Sequence, residues 1–263
     1  MTGERQGVDG LNRAGRGGWK QVIADAARTV VPSRTDPDGL LPPLLLALTI
    51  VTGVVDAVSY LKFGHVFVAN MTGNIVFLGF GFAGAGGLSI AASLVALAAF
   101  LAGAGAGGRL GVRLGGQRGR LLTAAIAIEF VLVTVALVTA AVGGDPLTNA
   151  GRYALIVLLA LAMGTQNAVA RRLAVIDLTT SILTMTLTGL AADSQPAGGN
   201  SPRLGRRLGS VAAMLAGAAV GGLLVLHVSV AAPLGLAAAL LLLGGLASYR
   251  FASQAAPPAK TAA

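Results

Sequence analysis

Two acidic residues stand alone inside apolar stretches of this sequence, where an acid can carry a proton or hold a cation. Asp56 follows TIVTGVV, and Glu129 lies within AIAIEFVLV. A lone carboxylate in a bilayer costs at least about 3 kcal/mol. We therefore expect both side chains to face the interior of a helix bundle as proton- or cation-coupling groups. The structural alternative for Asp56 is an ion pair with Lys62 or Arg171. For Glu129 the alternatives are a protonated side chain that only packs or a hydrogen bond from helix to helix.

A polar stretch, HVFVANMTGNIVFLG at 65–79, interrupts the apolar sequence. Its polar and helix-breaking residues are Asn70, Thr72, Gly73 and Asn74. Non-helical backbone at membrane depth persists only where protein or a water-filled cavity satisfies it. The pattern predicts an extended entry, a turn near Asn70 and a half-helix that begins near Thr72, capped by Thr72 or Asn74.

The N–H groups at the start of such a half-helix would face an anionic or polar solute. We therefore predict that the four residues of this stretch line a solute pathway. In the plainer interpretation, the amides of Asn70 and Asn74 only join helices to one another.

A second polar stretch, DLTTSILTMTLTG at 177–189, places Thr180, Thr184 and Thr188 four residues apart. That spacing puts them on one helical face, and we predict that they line the same pathway. Alternatively, Thr184 and Thr188 bond only the carbonyls four residues earlier.

Three further residues complete the candidate site. Gln166 and Asn167, in GTQNAV, are predicted pathway residues. His65 is a third candidate for proton coupling because histidine titrates near neutral pH. The alternative for His65 is a plain interfacial location.

The composition indicates an integral α-helical membrane protein. Of the 263 residues, 55% are hydrophobic and 11% are charged, and the mean hydropathy is +0.79. Soluble domains carry about 25% charged residues. The net charge of +9 is attributed to Lys and Arg retained on the cytoplasmic side, and no nucleic-acid partner is expected. With no cysteine and two histidines, His65 and His227, we expect no metal, no cofactor and no catalytic residue.

Eight apolar segments can be marked, and the second four repeat the first four. They are 41–61, 66–85, 88–108, 121–142, 152–170, 174–192, 207–228 and 231–249. GVVDAV at 53–58 aligns with GTQNAV at 164–169, which places Asp56 opposite Asn167. MTGN at 71–74 aligns with LTMT at 183–186, which places Thr72 opposite Thr184. The third match is AAFLAGAGAGG at 98–108 with AAMLAGAAVGG at 212–222.

The positive charges indicate how the repeats are oriented. With eight spans and a cytoplasmic N-terminus, 12 of the 19 Lys and Arg would lie inside. If 66–85 and 174–192 instead enter and leave on one side, 17 lie inside. The positive-inside bias favours six full spans plus two re-entrant segments in two inverted repeats of about three spans each. The alternative is eight spans in parallel repeats.

This topology divides the chain into four parts. We expect a disordered, basic cytoplasmic tail at 1–39 with an interfacial helix at 19–31, and membrane repeats at 40–150 and 151–250. A disordered C-terminal tail follows at 251–263. The expected location is the bacterial cytoplasmic membrane, with both termini cytoplasmic.

Two GxxxG patterns lie on the matching third and seventh segments, at Gly103 and Gly107 and at Gly217 and Gly221. Small residues at this spacing are typical of close helix packing in membranes. A homo-oligomer through these Gly-rich helices is a further expectation.

The motifs DAVSYLKFGHVFVANMTGNIVFLG and GTQNAVARRLAVIDLTTSILTMTLTGLAAD together resemble the YoaK-like family of bacterial membrane proteins, a domain of unknown function. The resemblance covers about Thr49 to Arg250 and implies six spans, with no established substrate, cofactor or reaction. The residues that match the first motif are Asp56, Asn70, Thr72, Gly73 and Asn74. Those that match the second are Gln166, Asn167, Thr179, Thr180 and Thr184.

These observations bear on four possible functions. Inverted repeats with broken helices are a common transporter plan, so the leading hypothesis is a transporter or permease for a small polar or anionic solute, possibly proton-coupled. A channel with two re-entrant constrictions and a non-transporting membrane scaffold are the alternatives. An enzyme is not expected, because intramembrane catalysis needs converging reactive groups and His65 with Asp56 alone offers few.

Overall fold

The computed structural model describes residues 24–27, 29, 39–114, 116–144, 147–175, 183–194, 198 and 204–254. This part of the chain is helical and contains no strand. Its helices are α1 (Leu41–Lys62), α2 (Met71–Phe82), α3 (Ile90–Leu114), α4 (Arg118–Val142), α5 (Asn149–Leu173), α6 (Leu183–Ala192), α7 (Leu204–His227) and α8 (Ala231–Gln254).

Much of the two predicted tails lies outside the described residues. Within the predicted interfacial helix 19–31, residues 24–27 are helical. The carboxylate of Asp25 accepts a hydrogen bond from the backbone N–H of Arg206 at 3.2 Å. This contact supplies a partner for one of the otherwise unpaired N–H groups at the start of α7.

Six helices are long and apolar enough to cross a membrane, and the protein is therefore a multi-pass membrane protein. They are α1, α3, α4, α5, α7 and α8. Each spans 20–25 residues, which matches the roughly 20 residues needed to cross the hydrocarbon core. Large apolar side chains such as Leu101 and Leu215 are more than half exposed, as expected for a surface that faces lipid.

Helices α1 and α5 form the centre of the bundle. In the apolar stretch that could cross the membrane, 67% of the residues of α1 and 61% of those of α5 are buried. The corresponding fraction is 22–39% in the other four spans. Helix α1 packs on α7, and α5 packs on α3; α4 lies against both α5 and α8. Each central helix therefore packs mainly on a helix from the other half of the sequence.

Glycines allow these two central contacts to be very close. A Cβ on Gly103 of α3 would collide with the backbone of Leu161, and a Cβ on Gly164 of α5 would collide with that of Phe100. On the other side of the bundle, Gly217 of α7 faces the backbone of Ile50 in the same way. The glycines at both crossings let the helix backbones touch.

The GxxxG glycines serve packing within the chain. Gly103, Gly107, Gly217 and Gly221 are all buried against backbone atoms of α5 or α1. A homo-oligomer through other faces of the same Gly-rich helices stays a prediction.

The two predicted polar segments contain short helices. Helix α2 has 12 residues and α6 has 10, which correspond to about 18 Å and 15 Å. Both are shorter than the roughly 30 Å hydrocarbon core. Helix α2 packs on α3 and α6 packs on α7, so the short helices occupy matching places in the two halves.

Candidate functional site

The chain between α1 and α2 is non-helical, and Asp56 holds it in place. Carboxylate oxygen Oδ1 accepts hydrogen bonds from the backbone N–H groups of Val68 at 3.0 Å and Ala69 at 2.8 Å. Buried backbone donors need partners, and Asp56 supplies one for each of these two N–H groups in the non-helical stretch.

Asn74 secures the same segment from the other side. Its Oδ1 accepts from the N–H of Phe67 at 2.9 Å, and its Nδ2 donates to the carbonyl of Phe67 at 2.6 Å. The Asn74 side chain is fully buried. Its amide therefore serves as the hydrogen-bond partner of the Phe67 backbone in this non-helical segment. Asn74 does not line the cavity described below.

The cap of α2 differs from the prediction. Neither Thr72 nor Asn74 caps the helix; the cap is Asn70, whose Oδ1 accepts from the N–H of Gly73 at 3.4 Å. The helix begins at Met71, because the residue that turns the chain also caps it. At Gly73 a Cβ would lie 2.9 Å from the Phe67 ring, so close approach is what requires glycine there.

A cavity of about 570 Å³ lies where the ends of the two short helices approach α1 and α5. Its lining combines residues from both halves of the sequence. They are Thr52, Asp56, Ala69, Asn70, Met71, Thr72, Gly73, Val76, Phe77, Phe100, Asn167, Leu183, Thr184 and Met214. The aligned pairs Asp56 with Asn167 and Thr72 with Thr184 thus meet around one space.

Asp56 presents its second oxygen without a partner. The residue is 4% exposed and lines the cavity, and its Oδ2 accepts no hydrogen bond from the described residues. Arg207–Asp193 is the salt bridge formed within the same residues, so the predicted alternative of an ion pair with Lys62 is not formed. A buried carboxylate oxygen of this kind is a ready acceptor for a ligand.

Apart from Asp56, the residues that line the cavity are neutral. The amides of Asn70 and Asn167 and the hydroxyls of Thr72 and Thr184 contribute neutral polar groups, and no Lys or Arg is present among the described lining residues. A volume within about 300–1,000 Å³ with a few convergent polar groups is typical of a small-molecule site.

Glu129 lies away from the cavity and contacts Gln166. Both are buried, Glu129 completely. With one orientation of the Gln166 amide, Nε2 donates to Thr52 Oγ1 at 2.9 Å and Oε1 faces the Glu129 carboxyl. With the other, Nε2 donates to Glu129 Oε1 at 2.5 Å and Oε1 accepts from Thr52. Gln166 therefore connects Glu129 to Thr52, which lines the cavity.

The remaining predicted residues lie elsewhere. His65 is in the loop before α2, with φ 57°, and its Nδ1 donates to the carbonyl of Gly87 at 3.1 Å; it is not among the cavity residues. Thr188 donates to the carbonyl of Thr184 at 2.9 Å, which is the plainer alternative for it. Thr179 and Thr180 lie outside the described residues.

Eight residues of the cavity lining were missed in the sequence, among them Thr52 and Phe77. Thr52 lines the cavity and lies four residues before Asp56, a spacing that shares a helix face and could have identified it. Phe77 also lines the cavity and stacks on Phe67 with ring centroids 5.8 Å apart. No feature of its apolar surroundings in the sequence distinguishes it.

Comparison with known proteins agrees with this architecture. Residues 44–247 match the family described as "Protein of unknown function (DUF1275)". The chain is 33% identical over 156 residues to the UPF0700 transmembrane protein YoaK of Bacillus subtilis (strain 168), a match that covers 57% of this chain and 65% of YoaK. No solved structure matches. The chain therefore belongs to the DUF1275 family, and it resembles YoaK, which is described as a transmembrane protein.

Proposed function

We propose that the protein is a transporter for a small solute that donates hydrogen bonds and is neutral or positively charged. The observation that carries the proposal is Asp56, a buried carboxylate with an unpartnered oxygen on a cavity. Lone acids at membrane depth commonly mark a substrate or ion pathway. The amides and hydroxyls of the other lining residues add further hydrogen-bonding groups for such a solute.

The proposal departs from the anionic solute expected from the sequence. That expectation relied on free N–H groups at the start of α2. Asp56 already accepts from the N–H groups of Val68 and Ala69, just before this helix, and its other oxygen offers an acceptor to the cavity. A cation or a neutral donor can bind this oxygen, whereas an anion brings no hydrogen bond to it.

The arrangement of the helices supports an inverted repeat with two re-entrant segments. Each half contributes three long helices and one short helix, and three spans per repeat reverse the direction of the second repeat. The exchanged packing of α1 on α7 and of α3 on α5 is what a twofold relation between the halves produces. Together with the positive-inside count, this topology supports a cytoplasmic location for both termini.

Uptake by reconstituted vesicles tests the proposal. Guanidinium is the first probe because it is a small planar cation with several N–H donors, and urea has a similar shape without the charge. Tetramethylammonium is the control, since it is a cation that donates no N–H hydrogen bond. We expect saturable uptake of guanidinium or urea and none of tetramethylammonium.

The same vesicles distinguish the alternatives predicted from the sequence. Electrical currents far above carrier turnover would indicate a channel. Absence of flux, together with no thermal stabilisation of the purified protein by a broad panel of amines, amides and cations, would contradict the transporter and favour a scaffold.

A further inference from the structure

We propose that Glu129, Gln166 and Thr52 form a proton-linked relay, in which loss of a proton from Glu129 reverses the hydrogen bonds and opens an acceptor on the cavity. The proposal deepens the transporter function above and rests on it for the class of solute. Its structural basis is independent of that function, because it follows from the two orientations that the Gln166 amide can adopt between its neighbours.

In the first state Glu129 carries a proton. Gln166 Oε1 faces the carboxyl, and two oxygens can adjoin there only if a hydrogen lies between them, so Glu129 donates to Gln166. Gln166 Nε2 then donates to Thr52 Oγ1 at 2.9 Å. The hydroxyl of Thr52 in turn donates to the carbonyl of Leu48 at 2.9 Å, so each neighbouring pair in the relay has one donor and one acceptor.

In the second state Glu129 is ionised and the chain runs the other way. The amide of Gln166 is reversed, so that Nε2 donates to Glu129 and Oε1 accepts from the Thr52 hydroxyl at 2.9 Å. A hydroxyl has one hydrogen, so Thr52 must release the Leu48 carbonyl. That carbonyl can still accept from the backbone of its own helix.

The reversal changes what Thr52 offers to the cavity. In the first state one lone pair of its oxygen is occupied by Gln166, and in the second both are available. A solute that donates hydrogen bonds therefore binds better when Glu129 is ionised. One proton leaves Glu129 for the aqueous phase, and the amide and hydroxyl hydrogens stay on their own atoms. Solute entry and proton release are thus coupled, as in an exchanger.

No other charged group sets the state of Glu129 in the described part of the chain. The residue is completely buried, and it takes part in no salt bridge there. The nearest titratable residue along the relay is Asp56, one turn from Thr52. The titratable residues on the helices that pack against α4 are Arg109, Arg113, Arg152, Tyr153, Arg171, Arg172, Tyr249 and Arg250.

Because the sequence contains few glutamates, the carboxyl of Glu129 can be observed selectively by infrared spectroscopy. Glu4 and Glu129 are its two glutamates, so a Glu4→Gln chain labelled with carbon-13 at the glutamate carboxyl reports on Glu129 alone. Infrared spectra of the full chain in lipid, recorded as a function of pH, separate the protonated from the ionised carboxyl. We expect both forms, and we expect Gln166→Leu to lose the ionised form because the carboxylate then has no donor.

A matched pair of variants tests the connection to the cavity. Thr52→Val removes the hydroxyl at the end of the relay, whereas Thr49→Val removes a buried hydroxyl on the same helix that bonds only the Leu45 carbonyl at 2.9 Å. We expect Thr52→Val to shift the Glu129 titration and Thr49→Val to leave it unchanged. A Glu129 signal that does not titrate, or that ignores Thr52→Val, would overturn the relay.

Proton release when a solute binds measures the coupling between the solute and Glu129 directly. Adding guanidinium to lightly buffered protein should release protons, and its affinity should fall by about tenfold or more when Glu129 is protonated. Glu129→Gln should abolish both effects. Guanidinium binding without proton release would refute the relay and leave the transporter proposal standing. Absence of binding would count against the proposed solute class, while the infrared experiment would still decide the relay.

Discussion

Asp56→Asn is expected to weaken solute binding by about 100-fold, equivalent to about 3 kcal/mol, while the fold is retained. The backbone N–H groups of Val68 and Ala69 use only Oδ1 of Asp56. An asparagine oxygen can accept both bonds, whereas its NH₂ group would replace the unpartnered Oδ2. The substitution therefore removes the acceptor and its charge from the cavity without removing the anchor. Guanidinium titration by thermal shift or calorimetry measures the loss.

Asp56→Ala provides the contrast that separates binding from folding. It removes both roles and leaves two backbone donors unsatisfied, at about 1–3 kcal/mol each. We expect a clearly lower unfolding midpoint for Asp56→Ala and a nearly unchanged one for Asp56→Asn. If Asp56→Asn retains full affinity for every solute that binds the native protein, Asp56 is an anchor for the loop and no more.

Gly103→Ala is expected to destabilise the protein by about 3 kcal/mol or to prevent its folding. The added Cβ would overlap the carbonyl and Cα of Leu161, and backbone atoms of a packed helix cannot rotate away as a side chain can. Helices α3 and α5 would have to separate, which would also displace the neighbouring contact of Gly107 with Thr165. Unfolding of purified protein in detergent or lipid measures the effect.

Gly108→Ala is the matched control on the same helix. No heavy atom lies within 4 Å of a Cβ at Gly108, and alanine is the better helix former by about 1 kcal/mol. This variant should therefore be as stable as the native chain or more so. Equal stability of Gly103→Ala and Gly108→Ala would show that the two helices do not approach as closely as described.

The main features of the fold could be predicted because membrane helices follow from length and apolarity. The all-helical class and the membrane location are confirmed, and the YoaK-like resemblance is confirmed by the match over residues 44–247. The two polar segments stood out because amides and glycine are costly in lipid, and they contain the short helices α2 and α6.

Within the site, the sequence identified residues more easily than their partners. Asp56, Thr72 and Thr184 could be selected because the repeat alignment and their polarity single them out, and the structure brings them to one cavity. The cap at Asn70 and the role of Asn74 could not, because the three polar residues within five positions have similar capping potential. Which of them turns inward depends on the position of Phe67 and its backbone.

The connection of Glu129 to the cavity could not be predicted from the sequence. Thr52 and Gln166 are 114 residues apart, and the aligned repeat gives neither of them a polar counterpart at the matching position. The contact exists because α1 and α5 lie next to each other at the centre of the bundle, and no feature of the two repeats specifies which of their side chains meet.

Cysteine labelling of intact vesicles tests most directly whether α2 enters and leaves the membrane on one side. The chain has no cysteine, so Lys62→Cys, Gly86→Cys and Gly116→Cys can be labelled singly with an impermeant thiol reagent; Lys62 is exposed, and a Cβ at either glycine meets no atom within 4 Å. We predict that positions 62 and 86 react from the same side and position 116 from the opposite side. Reaction of 62 and 86 from opposite sides would contradict re-entry, and with it the inverted repeat around the Asp56 cavity.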